Sequence, residues 1–186
     1  MAETPVIARP TPASAGATSG LELQLGAGGG AALLGGTSAS GRLELGLGSL
    51  RSHWQGRIGL VAQTSRQTAL APGHVRWRHS MATISLVLRT LNPDWLLSAD
   101  AGPLLGFATL SGQGFEMNQQ QNSLEFGLDA GLRAGLRWRR FTLWADLRGE
   151  SWLQRQRARV TGSDGAMDLA RWDLAATVGL SASLYL

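Results

Sequence analysis

The chain of 186 residues contains no cysteine, so it has neither a disulfide frame nor a thiolate metal site. It contains no lysine: all 17 basic residues are arginine, set against 13 acids. The formal net charge of +4 is modest, and the arginines are spread among the acids rather than gathered on one face. That pattern argues against a nucleic-acid partner. The three histidines, His53, His74 and His79, lie far apart and have no metal-ligand spacing. No cofactor is expected. The sequence also lacks a transmembrane helix. Its longest uncharged run, 23–41, holds seven glycines and ends in "TSASG". The start, "MAETPVIARP", has no basic end and no apolar core, so no signal peptide is visible. An exported form implies that such a leader was removed or replaced.

What is present is a period of two. Residues 1–19, rich in Pro, Ala and Thr, read as a flexible linker, and residues 20–186 as one domain. In "SLEFGLDAGLRAGLRW", Leu124, Phe126, Leu128, Ala130, Leu132, Ala134, Leu136 and Trp138 share one face. Glu125, Asp129, Arg133 and Arg137 share the other, with glycine and serine between them. A helix would scatter these residues around its circumference, whereas a strand separates them. "ARWDLAATVGLSASLYL" alternates in the same way. Even "LELQLGAGGGAALLGG", where Gly26, Gly28 and Ala31 fall on dinucleotide-loop spacing, continues two faces through its glycines. No amphipathic helix follows it, and a dinucleotide loop requires one.

The same test gives eight strands, at roughly 20–33, 41–50, 53–66, 75–89, 94–109, 123–138, 140–153 and 170–186. Short turns near 51–52, 90–93 and 139 alternate with longer loops near 34–40, 67–74, 110–122 and 154–169. The strands are about 10–17 residues long, against 5–6 in typical soluble sheets. Apolar-phase aromatics mark both ends of the strands. Trp54, Trp95, Trp138 and Phe141 lie by the short turns, and Phe107, Phe126 and Trp172 by the long loops. From Trp95 to Phe107, and again from Phe126 to Trp138, the tilted strand spans roughly 30 Å, which fits an apolar band with two aromatic girdles. The predicted fold is an all-β, eight-stranded antiparallel up-and-down transmembrane β-barrel.

From Leu21 to Leu186 the chain resembles the small eight-stranded bacterial outer-membrane barrels of the OmpA-transmembrane-domain size. The resemblance implies outer-membrane localisation and contact with outer-membrane lipid. The C-terminal "GLSASLYL" resembles the strand signal read by barrel-assembly machinery, with Leu186 where an aromatic is usual. The linker would reach a periplasmic partner.

By parity Glu22, Arg42, Glu44, Arg57, Asp100, Glu125, Asp129, Arg133, Arg137, Asp146, Arg148, Glu150, Arg171 and Asp173 face the lumen. Eight strands leave room only for side chains, so these residues are expected to pair as a sealing ionic network. Arg66, Arg76 and Arg78 fall on the outward phase at long-loop ends, and Arg155, Arg157 and Arg159 extend the seventh strand. They are candidate contacts for lipopolysaccharide phosphates. The loop "SGQGFEMNQQQNS", with Phe115 and Met117, is a further candidate contact or a mobile outer loop.

The functional reading is a non-enzymatic structural or anchoring barrel with no catalytic residues. The alternatives are a narrow channel, a lipid-modifying enzyme using His79, and a soluble lipocalin-like barrel. The enzyme would need a partner for His79, but the adjacent Ser80 points the other way. A lipocalin would need the opposite polarity.

Overall fold

The computed structural model describes residues 20–34, 36–115, 120–154, 157–159 and 166–186, with backbone alone at 157–159 and 166–167. Eight antiparallel strands form the wall: β1 (Leu21–Ala32), β2 (Ser38–Ser49), β3 (Trp54–Gln63), β5 (Gly73–Arg89), β6 (Trp95–Gln113), β7 (Gln120–Trp138), β8 (Phe141–Trp152) and β11 (Trp172–Tyr185). β4 (Arg66–Leu70) folds back on β5, and β9 (Arg157–Arg159) pairs with β10 (Ala166–Asp168) in a small separate hairpin. Each wall strand pairs with its chain neighbour, and β1 pairs with β11 to close the ring. Leu21 and Leu186 exchange backbone hydrogen bonds of 3.2 and 3.0 Å at the closure.

The registers fix the barrel's geometry. Following paired residues once around, Glu22 leads through Gly48, Gln55, Val87, Asp100, Gly131, Arg148 and Ala175 back to Ala32. The circuit returns to β1 ten residues from its start. At ~3.3 Å per residue and ~4.8 Å between strands, that stagger tilts the strands by about 41°. An even stagger also preserves parity, so an inward residue meets an inward residue where the sheet closes.

Polarity is inverted relative to a soluble protein. Leu132 is 64% exposed on the outer face, and its neighbour Arg133 is 1% exposed on the inner one. Leu43, Leu60, Ile84, Leu128, Leu136 and Leu143 are likewise exposed, while Glu125, Asp129 and Arg148 are buried. An apolar exterior of this extent belongs in hydrocarbon, and the closed ring leaves no unpaired strand edge there. A lipocalin-like barrel has the opposite arrangement. No helix of the described residues is long and apolar enough to cross a membrane.

Several predicted boundaries shift. The third predicted strand divides at residues 64–65. Ala62 pairs with Ser80, but Arg66 pairs with Trp77, so four steps on one side match three on the other. This one-residue bulge reverses the parity beyond it. The predicted loop 67–74 is a β4–β5 hairpin, and the predicted loop 110–122 shrinks because β6 and β7 continue to Gln113 and from Gln120. Polar residues there keep their strand pairing beyond the apolar band, which is the signal that the period-two test follows.

Candidate functional site

The lumen is built by the inward phase of all eight wall strands. At its middle, four arginines and four acids form one continuous network. Arg133 Nη1 and Nη2 bind the two carboxylate oxygens of Glu44 at 2.5 and 2.7 Å, and Arg133 Nη2 also reaches Asp146 at 3.3 Å. Arg148 contacts Asp100 at 2.7 Å, Asp146 at 3.4 Å, and Asp129. Arg57 donates to Asp100 at 2.9 Å, and Arg42 stands 3.7 Å from Glu44. β2 and β7 lie four strands apart in the ring of eight, so the forked Arg133–Glu44 pair spans the full width of the barrel. The side chains of both partners are almost wholly buried. Arginine suits this position because its planar fork holds a carboxylate at two points.

Glycine makes the space. Gly28 and Gly179 face each other across β1 and β11, and the indole of Trp144 lies over both. A Cβ at Gly179 would stand 2.3 Å from Trp144 Cζ2. The guanidinium of Arg133 lies 3.8 Å above the same indole, adding a cation–π contact. Nearer the long loops, Val61, Met81, Leu104 and Trp152 form an apolar layer. Beyond it Val75, Trp77 and Leu169, with Leu70, Leu110 and Phe115 against them, form a second. Phe115 therefore packs into that cluster, and Met117 lies outside the described residues. At the short-turn end Arg89 binds Glu22 at 2.5 Å, Ser183 Oγ donates to Glu22 at 2.8 Å, and Gln24 donates to Ser181 at 2.9 Å.

Four of the residues predicted for this network sit differently. Arg171 lies in a bend outside β11 and is exposed, because the strand begins only at Trp172. Arg137 is half-buried at the short-turn end and donates to the backbone carbonyls of Asn92 (2.6 Å) and Thr90 (3.5 Å), with no carboxylate partner among the described residues. Glu150 is buried in register between Asp129 and Asp173 but forms no salt bridge among the described residues. Glu125 pairs with a histidine instead of an arginine: His79 Nε2 is 3.5 Å away.

His79 also stacks on Trp152, with ring centroids 5.1 Å apart. Ser80 is exposed on the opposite face, so that adjacent pair cannot share a proton. Among the described residues no group of three or more His, Asp or Glu could hold a metal ion.

Arg66 corrects an expectation of outward exposure. The bulge at 64–65 turns it into the lumen, where it binds Asp173, Ser38 Oγ at 3.1 Å and the carbonyl of Leu34 at 2.5 Å. It therefore cannot contact outer lipid. Arg76 and Arg78 are exposed on the outer face, beyond the level where Ser80 pairs with Phe107. Arg155 lies outside the described residues, and of Arg157 and Arg159 only the backbone is described. Trp54, Trp95, Trp138 and Phe141 stand exposed at the short-turn end of the apolar band, and Phe107, Phe126 and Trp172 at the other. Sequence reasoning missed Arg89 as a network member, because it sits at a strand's last residue. It placed Trp144 inward as a filler of the space the glycines leave, and the structure seats it over Gly28 and Gly179.

This architecture defines a class: an eight-stranded outer-membrane-type β-barrel with a polar, side-chain-filled interior. Comparison with solved structures finds the same fold. A major outer membrane protein from Thermus thermophilus aligns with a TM-score of 0.65 at 15% identity, covering 88% of this chain and 99% of that one. Ail, the attachment invasion locus protein of Yersinia pestis, aligns with a TM-score of 0.53 at 13% identity, covering 89% and 99%. No family model and no curated protein matches the chain.

Proposed function

We propose that this chain is a non-enzymatic barrel of the bacterial outer membrane that serves as a structural or anchoring component and does not conduct. The observation that carries the reading is the Arg133–Glu44 bridge between opposite walls, with the charge-balanced network around it. A conducting lumen would need a continuous water path, and this one is crossed by buried side chains and closed toward the long loops by two apolar layers. The non-enzymatic part is supported by His79, which is held by Glu125 and Trp152 and faces away from Ser80. In planar bilayers the refolded chain should give no resolved single-channel steps. Reproducible steps carried by the purified protein would replace this reading with the narrow channel. Outer-membrane residence is tested by cell fractionation, with the folded species identified by its heat-modifiable gel migration.

The 1–19 segment serves in this reading as a tether toward a periplasmic partner, and the C-terminal strand as the element engaged by barrel-assembly machinery. Deleting 1–19 should leave barrel assembly intact and abolish partner co-purification. On the opposite side, Arg76 and Arg78 stand just beyond the aromatic girdle, where lipopolysaccharide carries phosphates. Charge reversal of both should reduce co-purified lipopolysaccharide, and unchanged recovery would remove this contact.

A further inference from the structure

At the short-turn mouth the barrel holds a second feature that the sealed lumen does not use. A recess of about 90 Å³ opens there, with Arg89, Arg137, Arg139 and Arg140 in its wall beside a single carboxylate, Glu22. Glu22 is already taken: Arg89 Nη1 binds it at 2.5 Å and Ser183 Oγ donates to it at 2.8 Å. Arg137, Arg139 and Arg140 are left with no salt bridge among the described residues. Four arginine residues thus line one small volume beside one carboxylate, which Arg89 already holds. Elsewhere in this lumen the central arginines are matched one for one by carboxylates, so the mouth departs from the rule of the interior.

The backbone supports the same conclusion. Trp138 pairs with Phe141, so Arg139 and Arg140 are the whole of a two-residue hairpin turn. Arg139 holds φ at 56°, the left-handed region that such turns usually give to glycine, asparagine or aspartate. The turn keeps an arginine where a smaller residue would fold more easily. The guanidinium of Arg139 lies 5.9 Å from the Trp138 ring, which steadies it beside the girdle. Arg137 is held from below by the carbonyls of Asn92 and Thr90.

We propose that this recess is an oxyanion site that takes one phosphate group. Its size admits a single tetrahedral oxyanion. Guanidinium forks match phosphate oxygens, and the hydroxyl-bearing Tyr185 lies in the same wall. The recess sits just beyond Trp138 and Phe141, at headgroup depth on the short-turn side. The phosphate can therefore come from an anionic phospholipid of that leaflet or from free phosphate. The site depends on the barrel fold and not on whether the lumen conducts.

The test uses the full chain, refolded in a zwitterionic detergent and in nanodiscs of zwitterionic lipid doped with phosphatidylglycerol. Phosphorus NMR titration with inorganic phosphate reads the free-ion arm, and native mass spectrometry of retained phosphatidylglycerol reads the lipid arm. Arg139→Gly combined with Arg140→Gln removes two guanidiniums while giving the left-handed position the residue it favours. Arg76→Gln with Arg78→Gln, at the far end, is the control. Heat-modifiable migration verifies that each variant is folded. Binding in either arm that falls at least tenfold in the first variant and is unchanged in the control supports the site, and the arm that responds identifies the source. Equal loss in both variants, no loss in either, or no binding in both arms overturns it. Displacement of phosphate by acetate at equal concentration would overturn the phosphate assignment.

Discussion

Replacing Arg133 by methionine keeps most of the side-chain volume and deletes the charge that bridges the lumen. Glu44 then retains only Arg42 at 3.7 Å, and Asp146 only Arg148 at 3.4 Å. The balanced network of four and four becomes three arginines against four acids. Both carboxylates have almost no solvent access, so water cannot replace the lost partner. Breaking a buried pair in this way costs about 3–5 kcal/mol, whereas an exposed pair would cost under ~1 kcal/mol. The cation–π contact with Trp144 is lost as well, so the upper part of that range is expected. Adding Glu44→Gln restores the balance at three and three and should recover part of the loss, with a coupling energy of about 2–3 kcal/mol. The assay is reversible urea unfolding in phospholipid vesicles, followed by tryptophan fluorescence for the wild type, both single variants and the double. A cost below ~1 kcal/mol for Arg133→Met, together with no coupling to Glu44, would mean that water solvates both charges. The sealed lumen would then be wrong.

Three further outcomes can be measured in the same assay. Gly106→Ala places a Cβ 2.6 Å from two atoms of the Trp152 indole, so it should destabilise by about 1–3 kcal/mol, and Trp152→Leu in the same chain should relieve most of this; an effect independent of Trp152 would contradict the packing. Arg66→Ala should cost several kcal/mol because it strands the buried Asp173, while Arg78→Ala on the outer face should stay within about 0.5 kcal/mol. The opposite order would restore outward placement of Arg66. Leu132→Arg, midway between Phe126 and Trp138 on the outer face, should cost about 2–4 kcal/mol in vesicles, and no cost would place that face outside hydrocarbon.

Strand number and polarity were legible because a strand repeats every two residues and the barrel keeps one face in each solvent throughout. The eight-fold count, the short turns and the inward parity of Arg133, Asp146 and Arg148 all follow from that local rule. It fails where the chain gains a residue. Nothing in "QTSRQT" marks the bulge that turns Arg66 inward, because the choice is made by pairing with β5 and by the waiting carboxylate of Asp173. It fails again at strand ends, where Arg171 leaves the sheet and Arg137 finds carbonyls instead of an acid.

Within unbroken strands, sequence alone therefore determined which residues face lipid and which face the lumen, since alternation is a property of consecutive residues. Only the tertiary structure decided who meets whom inside. Partners such as Arg133 and Glu44 are 89 residues apart and are brought together by ring closure and a ten-residue stagger. The same closure seats Trp144 over Gly28 and Gly179, leaves Glu150 without a salt bridge among the described residues, and gathers Arg137, Arg139 and Arg140 at one mouth. Those are sums over eight registers, and no local pattern in the chain encodes them.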